Sequence, residues 1–106
     1  MDEKQVLDIQ KQVVDVLKYV YDPEIPVNVY DLGLIYGIDV QEGGHVKIRM
    51  TLTAPSCPAG DFLTEDIRIK VEGLAEVTTC EVEVVFEPEW NQDMMSEEAK
   101  LELGFL

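Results

Sequence analysis

At 106 residues, with 46% apolar and 28% charged side chains, the chain is sized and composed for one globular domain spanning residues 1–106, which excludes intrinsic disorder. Twenty-two Asp and Glu against eight Lys and Arg give a formal net charge of -14, which excludes nucleic acid and anionic membrane as partners, since both are held by clustered cations. No apolar run approaches the roughly 20 residues of a membrane span, and the start, MDEKQVLDIQ, lacks the basic and apolar blocks of a secretory signal, so a cytoplasmic protein is expected.

Residues 3–20 are expected to form an amphipathic helix, because Val6, Ile9, Val13, Leu17 and Val20 recur at spacings of three and four. Asp22-Pro23 ends it, since the residue before proline avoids helical geometry. A loop to Gly33 follows, with enough apolar residues (Ile25, Val27, Val29, Tyr30) to pack against something. Tyr36, Ile38 and Val40 then alternate with polar or small residues, Gly43-Gly44 makes a turn, and a return strand puts Val46, Ile48, Met50 and Leu52 on one face. Lys47, Arg49, Thr51 and Thr53 are expected on the other face.

Ala54-Pro55-Ser56-Cys57-Pro58 breaks that strand, and a second helix is expected from about Cys57 to Glu72, with Ser56 as N-cap. Its stripe is Leu63, Ile67 and Val71 with Phe62 beside it, and Gly73 stops it. A third strand is expected to point Cys80, Val82, Val84 and Phe86 inward and Thr79, Glu81 and Glu83 outward. Glu87-Pro88-Glu89-Trp90 ends it, and Ser96-Glu97-Glu98 opens a short terminal helix. The order α-β-β-α-β-α describes an α+β two-layer sandwich, a small three-stranded sheet packed on helices. After the crossover helix the third strand runs parallel to the second. The loop before the first strand, the turn with Cys57 and the segment Glu87–Trp90 therefore gather at one end of the sheet.

Chemistry concentrates at that end. Cys57, at a strand-to-helix turn, is placed for thiolate stabilisation by a helix N-terminus and for binding a soft metal; the bland alternative is a residue filling a turn. Cys80 shares the register of an apolar strand and is expected to be core. The two thiols should lie roughly 20 Å apart at 3.3 Å per strand residue, far too distant for a disulfide. His45, after the glycine turn, falls at the opposite end from Cys57, which argues against a Cys/His nucleophilic pair. Asp22, Glu24 and Asp31 supply carboxylates at the Cys57 end, either as site groups or as turn residues, and Trp90 is expected as a lid on the core. Two Cys and one His cannot close a four-ligand site within one chain.

Three stretches carry a resemblance. Residues 22–36, DPEIPVNVYDLGLIY, resemble the first signature of the SufT/PaaD-like family of metal–sulfur cluster biosynthesis proteins. Thr51-Leu52-Thr53-Ala54-Pro55-Ser56-Cys57-Pro58 is similar to its second, and Phe86-Glu87-Pro88-Glu89-Trp90 with Met95-Ser96-Glu97-Glu98 is similar to its closing segment. The resemblance spans essentially the whole chain. It implies the α+β fold, a non-catalytic role in iron–sulfur protein maturation, and Cys57 as a transient cluster ligand or docking thiol. Asp22, Glu24, Asp31, Thr51 and Thr53 would be the accompanying signature positions. No stably bound cofactor is expected, only a transient iron–sulfur cluster, with cluster-assembly proteins, apo-protein clients and a second copy in a homodimer as partners. Some relatives fuse this domain to a P-loop ATPase, which this sequence lacks. The alternatives are a maturation factor or subunit of a multicomponent oxygenase, as in the phenylacetate-degradation branch, and a pure interaction module in which Cys57 is structural.

Overall fold

The computed structural model describes residues 2–22, 25–53 and 60–105. Helix α1 runs Glu3–Leu17 and opens on a reciprocal cap: Gln5 N donates to the Asp2 carboxylate at 2.8 Å, and Asp2 N donates to the Gln5 side chain at 3.1 Å. Its buried stripe is Ile9, Val13 and Leu17. The helix stops three residues earlier than its periodicity suggests. Val20 is still fully buried, but its carbonyl accepts from Val29 N at 2.8 Å, so the loop has taken over its backbone.

Strands β1 (Ile35–Gln41) and β2 (His45–Met50) form the expected antiparallel hairpin, and β3 (Thr79–Val84) joins β2 in parallel, giving the order β1-β2-β3. Helix α2 (Gly60–Glu72) makes the crossover and buries Leu63, Ile67 and Val71, while α3 (Glu97–Glu102) buries Ala99. The α+β expectation holds, with both longer helices covering the face that carries Val46, Ile48 and Met50. The other sheet face, with Asp39, Arg49, Glu81 and Glu83, is open to solvent.

Four side-chain expectations fail. Thr51 is 1% exposed rather than outward-facing: its N–H continues the β1–β2 register to Leu34 O at 2.8 Å, and its side chain borders a depression shared with Glu89 and Trp90 of the tail. Phe86 lies beyond the end of β3 and is exposed, as is Phe62 on α2. Tyr36 leaves the Ile38–Val40 series at a register irregularity between Ile35 and Gly37, and its hydroxyl donates to Pro88 O at 2.7 Å. The expected Ser56 cap and the helix start at Cys57 lie outside the described residues.

Candidate functional site

The end of the sheet at Met50 is built by backbone groups from segments far apart in sequence. Thr51 N reaches Leu34 O, Val85 N reaches Met50 O at 2.8 Å, and Ser96 N reaches Asp31 O at 2.8 Å. The Trp90 indole N–H donates to Leu32 O at 2.7 Å, so the half-buried ring is packed on the core as expected and also ties the tail to the loop before β1. The convergence deduced from strand direction is therefore real for the loop, the end of β2 and the tail. Gly33 is the hinge of this arrangement. Its φ is +81°, and a Cβ there would sit inside 3.0 Å of the Met94 carbonyl oxygen, so only glycine lets the two segments approach.

Several of the residues singled out from the sequence stand here. Asp31 is half-buried in the turn, its carboxylate accepting from Asn28 Nδ2 at 2.8 Å while Asp31 N donates to Asn28 Oδ1 at 2.9 Å. Asp22 is 7% exposed, and its carbonyl accepts from Ile25 N. Thr51 Oγ1 is buried with no hydrogen-bond partner among the described residues. Thr53 is exposed beside Trp90. Cys57 and Glu24 lie outside the described residues. Asn28, which the sequence reading passed over, is the local organiser: it is 9% exposed, pairs with Tyr21 in an isolated bridge and grips Asp31 twice. An Asn three residues before an Asp in a loop was the available signal, being a side chain suited to bonding nearby backbone.

Cys80 and His45 sit at the other end. Cys80 pairs with Val46, at the start of β2, and is 6% exposed. Burial pushes its thiol up to about 11, Glu72 adds to the rise, and Arg68 opposes it. Such a thiol stays protonated and inert at neutral pH. His45 is exposed, with Nδ1 2.6 Å from the Thr79 hydroxyl. Among the described residues no group of three or more His, Cys, Asp or Glu could hold a metal ion. None of the described helices is long and apolar enough to cross a membrane. An open cleft of about 790 Å³ separates β1 and β2 from the tail, bordered by Tyr36, Arg49, Asp31 and Glu87.

Residues 10–84 match the model of a family described as iron–sulfur cluster assembly protein. A relative from Porphyromonas gingivalis named Fe-S protein maturation auxiliary factor is 60% identical over 102 residues, 96% of this chain and 97% of that protein. Fe-S protein maturation auxiliary factor SufT from Staphylococcus aureus is 36% identical over 85 residues, covering 80% of this chain and 97% of its own length. Among solved structures, a domain of unknown function (DUF59) from Bacillus anthracis superposes with a TM-score of 0.90 at 32% identity, covering 99% of this chain and all of that one.

Proposed function

The chain belongs to the iron–sulfur cluster assembly protein family, and from that premise we propose that it acts as a non-catalytic maturation factor in which Cys57 is a transient ligand for a cluster in transit. An assembly or maturation role follows from the family; the part played by Cys57 is our reading. The observation that carries it is the convergence at the Met50 end of the loop bearing Asp22 and Asp31, the Thr51–Thr53 segment and the Trp90 tail. Cys57 is four residues after Thr53 and three before Gly60 in the chain. At no more than about 3.6 Å per residue, it is tethered to this end. Gly60 is itself held against the Leu52 side chain, where a Cβ would fall 2.8 Å from Leu52 Cδ1.

The donor set favours cargo over resident cofactor. A cluster with four thiolate ligands needs four such groups. This chain has two cysteines, and Cys80 is buried on β3, opposite Val46 at the far end of the sheet. The missing ligands come from a donor protein, an apo-protein client or a second copy, and exchange of one thiolate for another moves the cluster without a redox step. The 13-residue helix that follows supplies a positive N-terminal end, which favours the thiolate that such exchange requires. This work would take place in the cytoplasm.

The test separates chemistry from fold. Cys57→Ser should hold stability within about 1 kcal/mol, as expected for a substitution of small volume change at a turn expected from the sequence. The same variant should abolish the activity of iron–sulfur enzymes in cells that depend on this protein for their maturation. Full rescue by Cys57→Ser would overturn the ligand reading and leave an interaction module.

A further inference from the structure

The surface around Thr53, four residues before Cys57 in the chain, has a second property, separate from any thiol. Ile25, Leu32, Trp90, Met95, Leu103 and Phe105 line an apolar groove of about 340 Å³ that also borders Thr53. Leu32 and Met95 are core residues and Trp90 is pinned by its bond to Leu32 O, so the floor is preformed. Phe105 stands half exposed at its edge. Two smaller depressions share its walls. One, across Pro26, is bordered by Asp31, Glu98 and Glu102; the other, across Thr53 and Trp90, is bordered by Glu89. No Lys or Arg is found among the described residues lining any of the three.

Three cations are paired away from the groove: Lys47 with Glu83, Arg68 with Glu65 and Glu72, and Lys70 with Asp66. Lys18 lies over the Tyr30 ring, 5.6 Å from its centre. The groove thus has an apolar floor, and the carboxylates lie in the two depressions that adjoin it, on a chain of net charge -14. A second copy would bring the same sign of charge, and phosphate-bearing surfaces are repelled for the same reason. The open, shallow shape suits a few side chains of a larger partner better than an enclosed small molecule.

We propose that this groove docks an amphipathic basic segment of a client protein, with its apolar side chains on the Trp90 floor and its Lys or Arg residues against Glu89, Glu98 and Glu102. That the partner is a client rests on the maturation reading above; the groove and its charge pattern do not. Docking beside Thr53, four residues before Cys57, would bring client ligands toward Cys57, and the neighbouring carboxylates would raise the encounter rate.

The probe is a fluorescently labelled 16-residue peptide of alternating Lys and Leu blocks designed as an amphipathic helix, titrated by anisotropy against the full chain. Its comparison is an equally charged Lys/Ser peptide. The Lys/Leu peptide should bind at least ~10-fold more tightly, as expected when apolar anchors are buried. Glu98→Gln with Glu102→Gln should weaken it ~5-fold at low salt, whereas Asp39→Asn with Glu81→Gln, an equal charge change on the open sheet face, should alter it less than ~2-fold. Phe105→Ala should weaken it ~5-fold with an unchanged melting curve. Equal weakening by the two charge pairs, or equal binding of the two peptides, would overturn the proposal by reducing it to bulk charge. Cys57→Ser should bind the peptide normally. Failure of docking would leave the Cys57 rescue result standing, and failure of that result would leave docking standing.

Discussion

The two ends of the sheet differ in one buried polar group. At the glycine-turn end, Thr78 donates through its hydroxyl to Gly43 O at 2.7 Å and through its N–H to Gly44 O at 2.9 Å. His45 meets the Thr79 hydroxyl, and Cys80 N donates to the Glu72 carboxylate at 3.0 Å, a group that Arg68 also holds. At the Met50 end Asn28 holds Asp31 and Trp90 holds Leu32 O, but the Thr51 hydroxyl is buried with no partner among the described residues, and the chain leads into the Cys57 segment. A hydrogen bond satisfied in the fold contributes about 1 kcal/mol, while a buried group left unmade costs more. The first end is thus organised for stability, and the second accepts a cost of the kind that accompanies binding or chemistry.

The largest expected effect sharpens this contrast through glycine. Gly44 has φ +80°, and a Cβ there would fall inside 3.0 Å of the Glu76 carbonyl oxygen, so Gly44→Ala combines backbone strain with a clash against main chain. A loss of at least about 2 kcal/mol is expected in denaturant unfolding. Maturation support per folded molecule should be unchanged, because the turn is remote from the Met50 end. Gly33→Ala meets an equivalent clash with Met94 O. It should destabilise similarly but also displace the tail carrying Trp90, and so reduce support per folded molecule. Equal functional loss from both variants would erase the distinction between the ends.

Next in size is Cys80. Cys80→Ser puts a hydroxyl where the thiol is 6% exposed among apolar neighbours, for an expected loss of about 1–3 kcal/mol. The thiol also carries a pH signature. Its folded pKa lies above the unfolded value of 9.0, at about 11, so its contribution is complete below pH 9 and is lost as pH rises toward 11. The stability difference between the wild type and Cys80→Ala should therefore shrink across that window. A constant difference would mean that the thiol is not desolvated. Native alkylation at pH 7.5 should label Cys57 well before Cys80; the reverse order would move the reactive thiol to the wrong end.

Much of this contrast was legible in the sequence. The alternation of Val46, Ile48 and Met50, the Gly43-Gly44 turn and the α2 stripe follow from periods of two and 3.6, which burial enforces. Strand direction alone put the acidic loop and the Trp90 tail at one end. The misreadings occur at the strand ends, where other segments pack on the sheet. Thr51 keeps the β1–β2 register through its bond to Leu34 O, yet it is buried beside Glu89 and Trp90 of the tail, and Phe86 continues the β3 pattern although the strand has ended. The pairing of β3 with β2 rather than β1 was not legible, because both edges of a hairpin can accept a third strand. The grip of Asn28 on Asp31 was signalled by an Asn three residues before an Asp, but its pair of hydrogen bonds depends on the turn geometry of residues 28–33.

The smallest effect on stability carries the sharpest test of the Met50 end. Thr51→Val keeps the β-branched shape and removes only the hydroxyl, whose oxygen has no partner among the described residues. Deleting an unsatisfied buried hydroxyl costs nothing and can stabilise by up to about 1 kcal/mol, whereas deleting a well-bonded one costs about 1 kcal/mol. Thermal unfolding of Thr51→Val should therefore show an unchanged or slightly raised midpoint. If the hydroxyl is held for the Cys57 site, the same variant should impair maturation of client enzymes despite its intact fold. A lowered midpoint with full activity would assign Thr51 a purely structural bond. In that case the cost at this end of the sheet would no longer point to function.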